Sequence, residues 1–276
     1  MKITFGMIVF NAIDNLPNGM LESCILNVYD IAHEIIIVEG ATKATTHYFD
    51  GDTSKYTIDG KSTDDTISVI KNIPDPLNKI KLIESKGFWN GKTEMCNAWS
   101  SLSTGDYIWQ LDSDEFYHKD DMIKMIKILE EKKPDAVWFN AYHFFGGFEY
   151  CIDERGLTTD NKSQWGCGPW YRIFRNVPNK SKWISHEPPS YLVEDCICNN
   201  GYLLDQNFTT SQGIRMYHYS FVDYSQIKWK TDFYKNNSYK EFWENFKNDK
   251  NFKPYGTSVY KFDGEHPEII KNKYNL

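Results

Sequence analysis

The stretch Gly105-Asp106-Tyr107-Ile108-Trp109-Gln110-Leu111-Asp112-Ser113-Asp114-Glu115 constrains this chain more than any other. Its first half has the residues of a buried strand: Tyr107, Ile108, Trp109 and Leu111 in a short run opened by Gly105. Its second half carries three carboxylates within four residues. A strand that ends in acids puts them at its C-terminal edge, which is where open α/β sheets bind ligands. Carboxylates this close repel one another unless a cation or a donor-rich ligand intervenes. If the backbone stays extended, Asp112 and Asp114 share a side, because strand side chains alternate. That geometry suits a hard divalent ion, Mg²⁺ or Mn²⁺, which takes a few carboxylates and completes its shell with phosphate oxygens. The same spacing also fits an acidic turn with Asp at a helix N-cap.

The rest of the chain reads as strands alternating with helices. Residues 3–10 form an apolar run of strand length, and a turn over 11–19 leads to a helix over 20–32. Residues 34–38 are a second buried strand ending on Glu39-Gly40-Ala41-Thr42. Residues 43–60 lack a period. A helix to about residue 72 follows, with Ser62 or Thr63 as its N-cap. Residues 80–84 are a third strand, 87–102 a loop and helix carrying Lys92, Glu94 and Asn97, and 120–132 another helix. Such alternation predicts βαβ units and a mostly parallel sheet flanked by helices, with the layout of a nucleotide-binding α/β fold. Glycine-rich dinucleotide and Walker A fingerprints are absent, so a phosphate must be held another way. A metal at Asp114 would do it. Further strands are expected over 135–143, 170–175 and 215–220, with a long loop or irregular hairpin over 146–169. An aromatic, Lys-rich helical region then runs to about 250, followed by a polar tail.

With 276 residues and 41% hydrophobic content, the chain suffices for one large domain, or one with a substantial appendage. A formal charge of −7 without any basic stripe argues against a general nucleic-acid role. The six cysteines have no regular spacing; Cys151 and Cys167 could pair, but a chain this long needs no disulfide. Free thiols imply a reducing compartment, hence the cytoplasm. No apolar run approaches the roughly 18–20 residues of a membrane span.

Several pieces in order resemble glycosyltransferase family 2, enzymes of the GT-A fold. They are the first strand ending in Phe10-Asn11, the strand 35–39, Ser62-Thr63-Asp64-Asp65-Thr66, Asn90-Gly91-Lys92 with Asn97, Gly105-Asp106-Tyr107 and Asp112-Ser113-Asp114. Arg172-Ile173-Phe174-Arg175 followed by His186-Glu187 is similar to the arginine strand and His-Glu pair of many such enzymes. The resemblance covers residues 1–220, as a nucleotide-sugar half (1–115) and an acceptor half (116–220). Residues 221–276 are left as a C-terminal helical extension packed on the same domain. One departure is Glu39-Gly40-Ala41-Thr42 where the family carries an Asp-Asp-Gly-Ser type run, followed by the insertion 43–60.

The resemblance implies an inverting, metal-dependent transferase. It would move a sugar from a nucleoside-diphosphate donor, UDP being the commonest, to a hydroxyl on a glycan, lipid carrier or protein. It assigns Mn²⁺ or Mg²⁺ to Asp114 with His218, and the donor sugar or ribose to Asp112, itself a possible metal neighbour. Phe10, Asn11 and Asp65 belong to the donor side. Glu39 could accept from a base N–H or a ribose hydroxyl, Lys92 could approach the diphosphate, and Arg172 a phosphate or the base carboxylate. Arg172 and Arg175, three apart, point to opposite faces of a regular strand. The general base should be a partly buried carboxylate with a raised pKa. Glu187, stiffened by two prolines, is the first candidate, with Asp195 and Glu194 competing. Trp89, Trp165 and Trp170 are candidates for an acceptor-stacking wall. Two other functions use similar parts: a sugar-phosphate nucleotidyltransferase, and a non-catalytic nucleotide-sugar binder.

Overall fold

The first apolar run becomes the strand Ile3–Val9 near the middle of a seven-stranded sheet. The computed structural model describes residues 1–45, 53–152 and 170–276. Across the sheet the order is Leu203–Leu204, Ala136–Phe139, Trp170–Arg175, Tyr107–Gln110, Ile3–Val9, Glu34–Glu39 and Ile80–Ile83. Only Trp170–Arg175 runs antiparallel to its neighbours; the other pairings are parallel. The expected α/β fold with a mostly parallel sheet flanked by helices is therefore the observed one.

The core explains why these runs fold this way. Trp109 is fully buried, stacked between Phe5 at 5.2 Å and Phe139 at 5.7 Å, with Tyr117 edge-on at 4.9 Å. Burial of each such side chain is worth about 1.5–3 kcal/mol. On the opposite face the helix Lys92–Ser100 lies so close that a Cβ at Gly6 would sit 2.4 Å from the Trp99 ring. Asn97 ties this helix to a hairpin edge through both polar atoms, donating to the Trp183 carbonyl at 3.1 Å and accepting from its amide at 2.8 Å.

A second, five-stranded sheet builds the functional edge. Its order is Val259–Lys261, Tyr150–Ile152, Ala141–Phe145, Met216–Phe221 and Glu115–Phe116. The strand expected over 135–143 is thus two strands. The chain leaves the central sheet after Phe139 and joins the second sheet at Ala141, with Asn140 at the crossover. The loop expected over 146–169 contains the strand Tyr150–Ile152; residues 153–169, with Trp165 and Cys167, lie outside the described residues. The polar tail holds the strand Val259–Lys261 and the helix Glu268–Tyr274, whose Ile270 joins the same core as Phe5.

The helix after the Ser-Thr-Asp-Asp run is Thr66–Asn72, and its N-cap is Asp65 rather than Ser62 or Thr63. Ser62 is drawn instead into a small hairpin of Thr57–Ile58 with Lys61–Ser62. The aromatic region forms the helices Tyr224–Tyr234 and Ser238–Asn248, the first opened by an Asp223–Gln226 capping box. Cys24, Cys96, Cys196 and Cys198 are free thiols, while Cys167, the partner considered for Cys151, lies outside the described residues. Among the described residues no helix is long and apolar enough to cross a membrane.

Candidate active site

The acidic strand end opens into a cavity of about 1000 Å³. Asp112, Asp114, His218, Arg172, Lys92, Phe10 and Glu187 all contribute to its wall. Asn11, Glu39, Asp65 and Asp195 do not.

The second sheet aims the central groups. Pairing of Met216–Phe221 with Glu115–Phe116 sets His218 opposite Glu115, and pairing with Ala141–Phe145 sets it opposite His143. His218 Nε2 then lies 3.5 Å from Asp114 Oδ1, while its Nδ1 meets His143 Nδ1 at 2.9 Å. Burial opposes charge on Asp114, but His218 outweighs it and holds the carboxyl well below its ordinary range. His218 is raised in return: burial disfavours its cation, and Asp114 more than compensates.

Asp112 belongs to a different network. Its Oδ2 accepts from Arg172 Nη2 at 3.0 Å, and its backbone amide donates to Glu115 Oε2 at 3.2 Å. Arg172 is buried, donates from Nε to Glu115 Oε2 at 2.8 Å, and closes a second bond from Nη2 to Glu115 Oε1. Its guanidinium is thus spent on two carboxylates. Arg175 leaves the strand on the other side and pairs with Asp135 at 2.8 Å, as the spacing predicts. Asp112, set beside Asp114 by the sequence reading, is the arginine-bound acid of the pair. Glu115, quoted in the acidic run without a role, is the buried anchor of the network. Burial pushes its carboxyl up to about 7 against the pull of Arg172.

The donor-side residues of the first two strands are used internally. The Asn11 side chain donates to the Tyr56 carbonyl at 2.7 Å and accepts from the Thr63 amide at 2.9 Å, on a left-handed backbone (φ 45°) that Asn tolerates. Glu39 is fully buried and accepts from the Ser62 amide at 2.6 Å. Both hold the hairpin Thr57–Ile58 with Lys61–Ser62 at the end of the insertion, which is why neither reaches the cavity. Asp65 is exposed; Asp64 makes the local bonds, accepting from the Ile13 and Asp14 amides at 2.8 and 3.0 Å.

Glu187 stands at the rim, joined to Pro188 by a cis peptide bond. It is exposed, where the sequence reading expects a partly buried base, because it falls in the tight turn between Ser181–His186 and Pro189–Val193. Asp195 is exposed on the next turn, away from the cavity. Beside Glu187, His186 accepts from Gln110 Nε2 at 3.3 Å, and burial lowers it to about 4, so this ring is neutral. Trp170 lines the cavity with Arg172 stacked over its ring at 4.8 Å, whereas Trp89 turns inward and donates to the Glu39 carbonyl at 3.1 Å.

The far wall comes from residues after 220. Trp229, Lys230, Phe233 and Tyr234 of the helix Tyr224–Tyr234 face the acids, with Trp229 stacked on Phe233 at 4.3 Å. Phe233 also meets Phe10 at 6.3 Å. The only sequence signal for this wall is the density of rings and lysines after residue 220.

Residues 56–184 match the family model described as Glycosyl transferase family 2. The match spans Asp112, Asp114 and Arg172 and stops before Glu187, His218 and Lys230. No curated protein sequence matches the chain. Among solved structures, the chain is similar to TarS 1-349 of S. aureus, at 17% identity and a TM-score of 0.39 over 63% of this chain and 47% of that one. The same protein in complex with UDP-GlcNAc gives 17%, 0.40, 63% and 45%. The mannosyltransferase PcManGT from Pyrobaculum calidifontis, in complex with GDP-Man and Mn²⁺, gives 15%, 0.41, 63% and 44%. The chain therefore spans less than half the length of these structures.

Proposed function

We propose that this chain, which carries a glycosyl transferase family 2 segment over residues 56–184, moves a sugar from a nucleoside-diphosphate donor to a hydroxyl acceptor, with a divalent metal and inversion at the anomeric carbon. One observation carries this reading: Asp114 and His218, 3.5 Å apart, stand beside Asp112 at a cavity of nucleotide-sugar size.

Asp114 and His218 fit a metal in a particular way. Among the described residues no group of three or more His, Cys, Asp or Glu could hold an ion alone. Two protein ligands, with phosphate oxygens and water for the rest, is how hard divalent ions bind at phosphate-handling sites. Such an ion, when bound, neutralises charge on the departing diphosphate. A neutral His218 that donates from Nδ1 to His143 would turn its Nε2 lone pair to the Asp114 side, where an ion would sit.

The remaining work falls to the chain's own groups. Asp112, held by Arg172, presents its free oxygen to hydroxyls of the donor. Glu187 takes the proton of the acceptor hydroxyl. As that oxygen bonds to the anomeric carbon, the bond to the diphosphate oxygen breaks and its electron pair leaves with the nucleoside diphosphate. A single displacement of this kind inverts the centre. Glu187 is preferred to Asp195 because it lines the cavity. The nucleotidyltransferase alternative needs a basic loop after the first strand, and residues 10–19 contain neither Lys nor Arg.

The test is thermal unfolding with UDP, GDP, CDP and dTDP, with and without MnCl₂, on the wild type and Asp114→Ala. A ligand at a hundred times its Kd adds about 2.7 kcal/mol. One nucleotide should raise Tm in the presence of Mn²⁺, and Asp114→Ala should lose that gain. A wild type that none of the four shifts overturns the reading.

A further inference from the structure

Resting on the transferase reading, we propose that Lys230, from the C-terminal extension, is a diphosphate-binding cation that acts with Lys92 from the opposite side of the cavity. A nucleoside diphosphate approaching Asp112 and Asp114 brings anionic oxygens toward two carboxylates, so the wall must supply positive charge. Of the Lys and Arg residues lining the cavity, Arg172 is committed to Glu115 and Asp112. Lys92 and Lys230 are the two that remain.

Their positions differ. Lys92 opens the helix Lys92–Ser100 behind Gly91 and is exposed at the mouth. Lys230 is half-buried, with its ammonium 5.2 Å above the Phe221 ring. Among the described residues it makes no hydrogen bond or contact ion pair. Most buried cations in proteins are paired, because an unpaired one is costly to desolvate. Burial pulls Lys230 below the usual lysine range; Asp114 and Asp112 draw it back up, and Lys92 repels it. An ammonium near two acids and repelled by a second lysine has the surroundings that an entering polyanion would complete. Trp229 and Phe233, stacked at 4.3 Å, line the same wall of the cavity as Lys230.

The experiment measures Kd for UDP and for GDP by calorimetry in MnCl₂, with uridine and guanosine as phosphate-free controls, on the wild type, Lys230→Met and Lys230→Arg. Methionine keeps the packing of the stem, and the Tm of each variant without ligand reports folding. Loss of a charge-assisted bond should weaken diphosphate binding by about tenfold or more, leave nucleoside binding unchanged, and be partly restored by arginine. If the wild type binds UDP or GDP and Lys230→Met binds it equally well, this inference fails and the transferase reading stands. Equal weakening toward diphosphate and nucleoside overturns it too, because Lys230 would then only shape the wall. If the wild type binds neither of these, nor CDP or dTDP, both fall.

Discussion

Arg172→Met removes the cation at the centre of the acid network while keeping an apolar stem of similar reach. Arg172 is 2% exposed and Glu115 is wholly buried. The substitution strips both bonds from Glu115 and the 3.0 Å bond from Asp112. Breaking a buried pair by removing one partner costs about 3–5 kcal/mol, because a charge is left without compensation. Glu115 can escape that cost by taking a proton. Its carboxyl already sits at about 7 rather than 4.5 in the folded protein, a displacement worth about 3 kcal/mol. A carboxyl raised on folding binds its proton more tightly folded than unfolded. Its contribution is whole below about 4.5 and is lost as pH climbs through 7. Without Arg172 the folded value climbs further, so the variant loses more on the alkaline side than the wild type does. At pH 5 Glu115 is neutral in both proteins, and the variant should be destabilised by only about 1–2 kcal/mol of lost hydrogen bonding. At pH 8 the penalty should reach about 3–5 kcal/mol. With about 2–4 °C per kcal/mol for a chain of this order, the Tm gap to wild type should widen by about 5–10 °C from pH 5 to pH 8. Calorimetric scans of both proteins at the two pH values measure it directly. The double variant Arg172→Met, Glu115→Gln carries no ionisable group at position 115, so its gap should not grow with pH. A gap that is the same at pH 5 and pH 8, or one that still grows with Gln at 115, refutes the argument.

Glu187→Gln should lower turnover by about 10²–10⁴-fold while the Kd for the stabilising nucleotide stays within a factor of two or so. Parallel assays of turnover and binding decide this, and the same loss in Asp195→Asn instead would move the base. Gly6→Ala should destabilise by about 1–3 kcal/mol or more, read as a lower urea midpoint, since its Cβ would lie 2.4 Å from the buried Trp99 ring. A midpoint equal to wild type would mean that the strand and the helix Lys92–Ser100 separate more easily than their packing indicates.

Most of the central sheet was legible because its strands are short apolar runs bounded by polar turns, a pattern that burial itself imposes; the two-residue edge strand Leu203–Leu204 was too short to show one. The acidic edge was legible because three carboxylates after Trp109 repel one another unless cations or donors stand beside them, although the burial of Glu115 against Arg172 was not. What the two acids do was less legible. Asp112 and Asp114 stand two apart, yet one answers to Arg172 and the other to His218, and both partners arrive from distant strands. The break at Asn140 left no trace because Phe139 and Ala141 are both apolar and both buried, only in different sheets. Asn11 and Glu39 were read toward a ligand and turned toward the hairpin at 57–62, since local periodicity does not say what will cover a strand end. Lys230 was indistinguishable from its neighbour Lys228 until the helix had a rotation about its axis.

The second sheet threads Glu115–Phe116 and Ala141–Phe145 beside Met216–Phe221 and, at its other edge, Val259–Lys261. On a ribosome the acid strand therefore emerges long before the strand that brings His218 and the helix that brings Lys230. Until those arrive, Asp112 and Asp114 belong to an edge without its facing wall, and the cavity is not enclosed. The ability to bind a nucleotide should then appear late in synthesis and in a single step, when the closing strands join a sheet that earlier residues have already begun.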